Sequence, residues 1–302
     1  GFKVVEDKKT ISGKAIQEIR ENILKKEFLK GEGSEKALDV KDQYLNLIVN
    51  NIELKRPLKI AIDCGNGAAS IIAKQVYEGL GCEVHSLFAE VDGDFPNHHP
   101  DPSKPENLED LRKLVEEQKL EIGLAFDGDA DRLGVVSKEG KIIFPDMQMI
   151  LFSNSILKQN KEGKIVFDVK CSKLLSNAIL NEGGIPIMSK TGHSYIKKRI
   201  QEEKALLGGE MSGHIFFNDR WPGFDDGIYA GARMLEIISN LNENEDVFKG
   251  LPKLVSTPEI NIESTDDEKF KIVEDFISKA NYKDSKSVLI DGVRIEFDFG
   301  WG

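Results

Sequence analysis

Ile16, Ile19, Ile23 and Leu24 fall on one helical stripe within residues 14–29, and the run KGEGSEK at 30–36 then interrupts it with two glycines. That break predicts a boundary near 35–40. Beyond it the pattern changes. LKIAID at 58–63 is a short apolar run suited to a buried strand, GNG at 65–67 is a turn, and AASIIAKQVYEGLG is a helix closing on Gly81. CEVHSLF follows as a second strand, so the order strand, helix, strand predicts a parallel sheet.

The same grammar returns in KIVFDVKCSKLLSNAILNEGGIPIMS at 164–189, where a strand at 164–168 ends in Asp168 as the strand at 59–63 ends in Asp63. This reads as an internal repeat. Its second half aligns LAFDGDADRLGVV at 124–136 with LGGEMSGHIFF at 207–217, setting Glu210 opposite Asp129 and Ser212 opposite Asp131. Two related α/β domains are expected, each lending a polar loop to one composite cleft. Between them, FPNHHPDPSKPENLEDLRKLVEEQ begins as a proline-rich loop decorated by His98 and His99. It continues as a helix capped by Ser103, with Pro105 in its first turn and Leu108, Leu111, Leu114 and Val115 facing inward. In the tail, Thr265 and Glu268 have capping-box spacing before Phe270, Val273, Phe276 and Ile277, and SVLIDGVRIEFDF predicts a hairpin around Asp291 and Gly292. That last piece is α+β in character.

At 302 residues the chain holds two or three domains on length alone. Its 40% hydrophobic and 31% charged content is that of a water-soluble globular protein, and no apolar run approaches the roughly 18 residues that span a bilayer. The first residues, GFKVVEDKK, lack the pattern of a secretion signal. Cys64, Cys82 and Cys171 have no paired spacing, which argues against a disulfide framework or a zinc site and sets the expectation of a reducing cytoplasm. A net charge of -11 disfavours nucleic acid and anionic membranes as partners. An anionic ligand would need a locally positive pocket.

The stretch FDGDADR places Asp127, Asp129 and Asp131 within five residues, behind the apolar strand EIGLAF. Three ionised carboxylates that close repel one another unless a cation neutralises them, and hard oxygen donors suit a divalent ion at a sheet's carboxyl edge. The EF-hand pattern fails, because Arg132 and Lys138 stand where it needs glycine and glutamate. An acidic surface turn is the alternative. GEMSGH at 209–214 brings Glu210, Ser212 and His214 between glycines, a set suited to sugar hydroxyls, although a plain glycine-rich turn has the same composition. His193 in KTGHSYIKKR opens a helix whose amides favour anions, and Lys197, Lys198 and Arg199 follow either as anion ligands or as a solvated face. Lys170, beside a strand end, is within reach of a phosphate. A dinucleotide site at GNG fails, since Ser70 replaces the third glycine and Asp63 would crowd a pyrophosphate.

FDGDADR, KTGHSYIKK and GGEMSGHIFF followed by GFDDGIYAGARMLE together resemble the α-D-phosphohexomutase superfamily, in particular its bacterial phosphomannomutase/phosphoglucomutase branch. The agreement runs in order from GFK at the start, through HHPDPSKPENL, to DGVRIEFDFGWG at the end. The resemblance implies an enzyme that interconverts hexose 6-phosphate and hexose 1-phosphate through a phosphoserine and a hexose 1,6-bisphosphate intermediate or activator. By similarity Asp127, Asp129 and Asp131 ligate one Mg2+. Glu210 and Ser212 bind sugar hydroxyls, while Lys170, His193 and His214 complete the substrate pocket. Arg132 lies beside the phosphoserine, and Lys3 acts in phosphoryl transfer. The implied fold is α/β: two repeated mixed-sheet α/β domains around a cleft, preceded by the end of another α/β domain and followed by the start of an α+β domain. Residues 1–39 close domain 1, 40–141 form domain 2 with the metal loop, 142–253 form domain 3 with the sugar loop, and 254–302 open domain 4. A cytoplasmic monomer acting on a small phosphosugar is expected.

Phosphoglucosamine mutase is the nearest alternative, and Met211 within GEMSGH favours mannose and glucose. Two other classes compete: a haloacid-dehalogenase-like phosphatase with Asp127 as nucleophile, and a non-catalytic calcium- or sugar-binding module. In the family a serine loop precedes the counterpart of Gly1 and a phosphate-binding loop follows that of Gly302, so the chain is expected to be a central fragment. Incubated with hexose 1-phosphate, bisphosphate and Mg2+, the 302-residue chain is expected to form no hexose 6-phosphate above background in a coupled assay. Steady turnover would contradict this.

Overall fold

The computed structural model describes residues 4–6, 9–11, 13–253, 255–257, 259–260, 262–265 and 268–302. β1 (Val5–Glu6) and β2 (Lys9–Thr10) pair antiparallel ahead of α1 (Lys14–Lys25). The predicted stripe Ile16, Ile19, Ile23 and Leu24 lies on α1 and is exposed among the described residues. After the glycine-bearing segment, α2 (Lys41–Val49) buries Ile48 in the first of two α/β cores.

That core forms around β3 (Lys59–Asp63), α3 (Ala73–Gly79), β4 (Glu83–Leu87), α4 (Glu109–Glu117), β5 (Ile122–Phe126), β6 (Leu133–Ser137) and β7 (Ile142–Ile143). The sheet runs β4-β3-β5-β6-β7, with β3, β4 and β5 parallel and the last two strands antiparallel. β5 and β6 are buried at every position, as central strands covered on both faces must be. The second core has α5 (Pro145–Leu157), β8 (Lys164–Asp168), α6 (Lys173–Asn181), β9 (Ile185–Ser189), α7 (His193–Glu203), β10 (Leu207–Gly209), β11 (Ile215–Phe217) and α8 (Gly227–Ser239). Its order is β9-β8-β10-β11, again parallel except for the last strand. The two sheets therefore share one topology, with β3, β4, β5 and β6 answered by β8, β9, β10 and β11.

Register corrects the proposed alignment of the repeat. Ile60 pairs with Ile122 and Ile165 pairs with Leu207, so Leu207 is the counterpart of Ile122 rather than of Leu124. The second sheet has a shorter hairpin, and position-by-position matching of its loop with the acidic loop does not hold. The helix expected to start at Ser103 opens instead as a 3-10 turn at Pro105–Leu108 before α4. Ser103 does not cap it: the cap position falls on Lys104 with no side-chain cap bond, and the Ser103 amide and hydroxyl instead donate to Asp101 Oδ1, at 3.1 and 2.7 Å. Leu108, Leu111 and Val115 are buried, while Leu114 is half-buried against the same cluster.

In the last segment, α9 (Lys269–Lys279) precedes the antiparallel sheet β12 (Lys286–Val288), β13 (Arg294–Phe297) and β14 (Gly300–Trp301). Gly292 supplies the turn with φ +66°. Thr265 donates through its hydroxyl to the Glu268 carboxylate at 2.7 Å, so the two side chains of the expected capping box bond each other. Arg294, almost wholly buried, donates to the carbonyls of Val169 and Cys171 at 2.6 and 2.7 Å, which seats this piece on the loop after β8.

α8 is apolar nearly all round and lies between the two sheets. A Cβ on Gly231 would sit 2.3 Å from the Tyr77 hydroxyl, so only glycine lets the helix approach α3 this closely. Tyr77 in turn donates to the Ile228 carbonyl at 3.0 Å. The N-terminus of α8 is capped by Asp226, which accepts from the Tyr229 amide at 2.9 Å and from the Tyr44 hydroxyl of α2 at 2.9 and 3.0 Å. No helix among the described residues is long and apolar enough to cross a membrane.

Burial pushes the Asp226 carboxyl up to about 6, ahead of the opposing Tyr229 and Tyr44 bonds. The native state then holds a proton that the unfolded chain has lost between about pH 4 and 6, so this group's contribution to stability falls as pH rises through that window. Asp226→Asn keeps the capping oxygen without the charge. Urea unfolding at pH 4 and pH 7 is expected to show the parent losing about 1–3 kcal/mol relative to this variant, and parallel profiles would contradict it.

Candidate metal and hydroxyl-binding site

Residues 127–132 join β5 to β6 at the end of the sheet where the parallel strands deliver their carboxyl termini. Ala130 turns the chain with φ 63°. Gly67 of the GNG turn lies so close beneath that a Cβ there would be 2.7 Å from the Gly128 carbonyl, which accepts from the Ala68 amide at 3.0 Å. The turn thus supports the acidic loop. Asp127, Asp129 and Asp131 each offer an oxygen, all within 4.8 Å of one another, with Asp127 and Asp131 buried and Asp129 exposed. Three hard anionic donors at that separation fit a divalent ion such as Mg2+.

Arg132 closes the loop on itself. Its amide donates to Asp127 Oδ1 at 3.0 Å, its Nε to Asp127 Oδ2 at 2.8 Å, and its Nη1 to Asp101 Oδ1 at 3.0 Å. Burial is the largest influence on Asp127 and pushes its carboxyl up, against the bonds from Arg132. Burial also opposes ionisation of Asp101, but the Ser103 bonds and the Arg132 charge outweigh it and hold that carboxyl below the usual range.

The loop 210–214 of the second sheet meets the acidic loop directly. The Leu133 amide donates to the Gly213 carbonyl at 3.1 Å, Arg132 and His214 form an isolated antiparallel bridge, and the Gly227 amide donates to the Ala130 carbonyl at 3.0 Å. Glu210 is 2% exposed; it accepts from the Gly192 amide and stands 3.2 Å from His214 Nδ1. The opposite ring nitrogen, His214 Nε2, lies 3.1 Å from Asp131 Oδ1, and Ser212 Oγ lies 2.9 Å from Nδ1. One imidazole therefore touches both a carboxylate of the acidic loop and the buried glutamate of its neighbour. The two polar loops expected from the repeat therefore lie against each other.

His193 opens α7 directly after Gly192, whose φ of 125° only glycine adopts readily, and its ring centroid is 5.9 Å from that of His214. His193, Glu210, Ser212 and His214 are thus brought together. Lys170 belongs to the turn after β8, where Asp168 accepts from the Lys170 and Met211 amides at 3.2 Å each, and its Nζ reaches Glu259 at 3.2 Å. Lys3 lies outside the described residues.

The basic run on α7 divides. Lys198 and Arg199 pair with Glu202 and Glu203 on their own helix, as a solvated face does. Lys197 turns inward to Asp225 at 2.6 Å. His98 is not the loop decoration expected of it: Nε2 is 3.0 Å from buried Asp63 Oδ2 and the ring stands edge-on to Phe88. The bond to Asp63 raises His98 against its partial burial. Asp101, Asp168 and Asp225 carry no spacing signal and escaped the sequence reading as site residues; the paired strand ends Asp63 and Asp168 were a legible hint that a carboxylate anchors each following turn.

Comparison with known proteins follows this geometry. Residues 42–140 match the family model described as phosphoglucomutase/phosphomannomutase, alpha/beta/alpha domain II, and residues 144–255 match domain III of the same family. A phosphomannomutase/phosphoglucomutase of Pseudomonas syringae pv. tomato is 51% identical over 100% of this chain and 65% of its own length. A phosphomannomutase of Vibrio cholerae is 31% identical over 100% of this chain and 67% of its own length. A crystal structure of a phosphoglucomutase/phosphomannomutase family protein from Burkholderia thailandensis superposes with TM-score 0.93 at 45% identity, covering 99% of this chain and 64% of that one. The chain spans about 65% of the length of its Pseudomonas relative.

The junction of the two loops leaves no room beside α8. A Cβ on Gly227 would lie 2.6 Å from the Arg132 carbonyl and 2.9 Å from that of Ala130. Gly227→Ala is expected to lower stability by about 1–3 kcal/mol in urea unfolding, and an unchanged midpoint would contradict the packing described.

Proposed function

Since the chain belongs to the phosphoglucomutase/phosphomannomutase family, we propose that it supplies the central part of a phosphohexomutase, which moves a phosphoryl group between O1 and O6 of mannose or glucose phosphates. In this reading residues 40–141 and 142–253 are domains 2 and 3, flanked by the end of domain 1 at 1–39 and the start of domain 4 at 254–302. The observation that carries it is the position of His214, in contact with both Asp131 and Glu210. That contact supports reading the metal loop and the hydroxyl loop as one site.

Asp127, Asp129 and Asp131 would hold one Mg2+, which when bound neutralises charge on the phosphoryl group in transfer. The remaining work falls to side chains. Glu210 accepts hydrogen bonds from sugar hydroxyls, with its orientation set by the Gly192 amide and His214. Ser212 adds a donor beside it. His193, at the start of α7, and Lys170, after β8, border the same loop and suit the distal phosphate. Arg132 places a fixed positive charge at the rim of the acidic loop, where a phosphoserine would need it, and Lys3 would act in the transfer itself. Hexose 1,6-bisphosphate is the intermediate, turning over so that each end meets the same serine.

A phosphatase with Asp127 as nucleophile fits less well, because Arg132 engages both of its oxygens. The test is an assay of the complete protein with mannose 1-phosphate, glucose 1-phosphate and glucosamine 1-phosphate. Activity is expected with the first two, to vanish with chelator and to return with Mg2+. Glu210→Gln is expected to cost about 10- to 150-fold in kcat/KM, the worth of a charged hydrogen bond. Full activity in chelator, or a Gln variant within about twofold of the parent, would refute the reading.

A further inference from the structure

Asp101 lies in the proline-rich loop between β4 and α4, and the tertiary fold brings it to the site. A Cβ on Gly65 would stand 3.0 Å from Pro100 and one on Gly128 3.5 Å from it, so the loop presses against both the supporting turn and the acidic loop. His98 pins the loop to Asp63 on the other side. Asp101 Oδ1 then accepts from the Ser103 amide and hydroxyl at 3.1 and 2.7 Å and from Arg132 Nη1 at 3.0 Å. The other arm of that guanidinium, Nε, is 2.8 Å from Asp127 Oδ2. A single guanidinium is shared between two carboxylates, only one of which, Asp127, belongs to the acidic triad.

We propose that Asp101 is a positioning residue for the metal site: by holding and neutralising Arg132 it lets Asp127 exchange a guanidinium for a divalent cation. The inference rests on reading Asp127, Asp129 and Asp131 as the Mg2+ ligands. Two effects act in the same direction. A second acceptor keeps the planar fork of Arg132 from settling wholly on Asp127, and the Asp101 charge offsets an arginine that otherwise repels an incoming cation. A purely local role is the competing explanation, since Asp101 also closes a turn with Ser103. Asp101→Asn separates the two, because it keeps Oδ1 as the turn's acceptor and removes only the charge.

The experiment measures Mn2+ binding to this chain by electron paramagnetic resonance, with Mg2+ as competitor, together with the melting temperature. D101N is expected to weaken Mg2+ binding about three- to tenfold at an unchanged melting temperature. Asp101→Glu should stay within about twofold of the parent, and Ser103→Ala, which disturbs the turn but not the charge, should match the parent. Equal affinity in D101N and the parent overturns the inference, as does a loss in S103A equal to that in D101N. A parent chain that binds no Mn2+ removes the metal reading itself and this inference with it; a parent that binds normally beside an unaltered D101N removes only this one.

Discussion

Carboxylates crowded at the junction of two sheets impose the constraint on which this molecule depends. Asp127, Asp131, Glu210 and Asp225 are all nearly buried there, and their charges are held in place by Arg132, His214 and Lys197. None of these pairs is strong evidence of stability, since desolvation offsets much of the attraction in a buried ion pair. What they provide is position. Arg132 pairs with Asp127 and Asp101 inside one domain and Lys197 with Asp225 inside the other, while the His214 ring touches Asp131 across the junction, so the full set comes together only where the two loops meet.

The docking is achieved by backbone and by one helix. The acidic loop and the loop 210–214 share main-chain hydrogen bonds, and α8 lies across both sheets with glycines at its closest approaches. A continuous apolar cluster runs from Ile60 and Leu124 of one domain to Phe217 and Tyr229 of the other. Rigid burial of that kind favours a site whose donors are pre-arranged, which is where electrostatic catalysis finds its advantage. Asp226 shows the same economy on a smaller scale: one carboxylate caps α8 and receives the Tyr44 hydroxyl, tying α2 to the helix between the sheets.

Much of the architecture was legible in the chain, because buried parallel strands are continuous apolar runs and helices carry a distinct period. β3 and β8 follow from such runs, β4 and β9 from the strand, helix, strand order around them, and the duplication of topology from both. α5 escaped notice, since PDMQMILFSNSIL is buried nearly all round and has little amphipathic contrast. Ser103 was misread for a different reason. The chain enters the helix through a 3-10 turn that puts Lys104 at the cap, and Ser103 is held instead in a local turn closed on Asp101.

By itself the sequence determined the periods of the strands and helices, the placing of three aspartates behind a buried strand, and the glycine-flanked loop that answers them, because these depend on neighbours along the chain. Only the tertiary structure decided that His98 pins a loop to Asp63, that Lys197 turns inward to Asp225 while Lys198 and Arg199 do not, and that His214 bridges two domains. Those choices depend on which groups become neighbours after the sheets close on each other. Charges in a low-dielectric junction are fixed by distance in space, about which spacing in sequence carries no information.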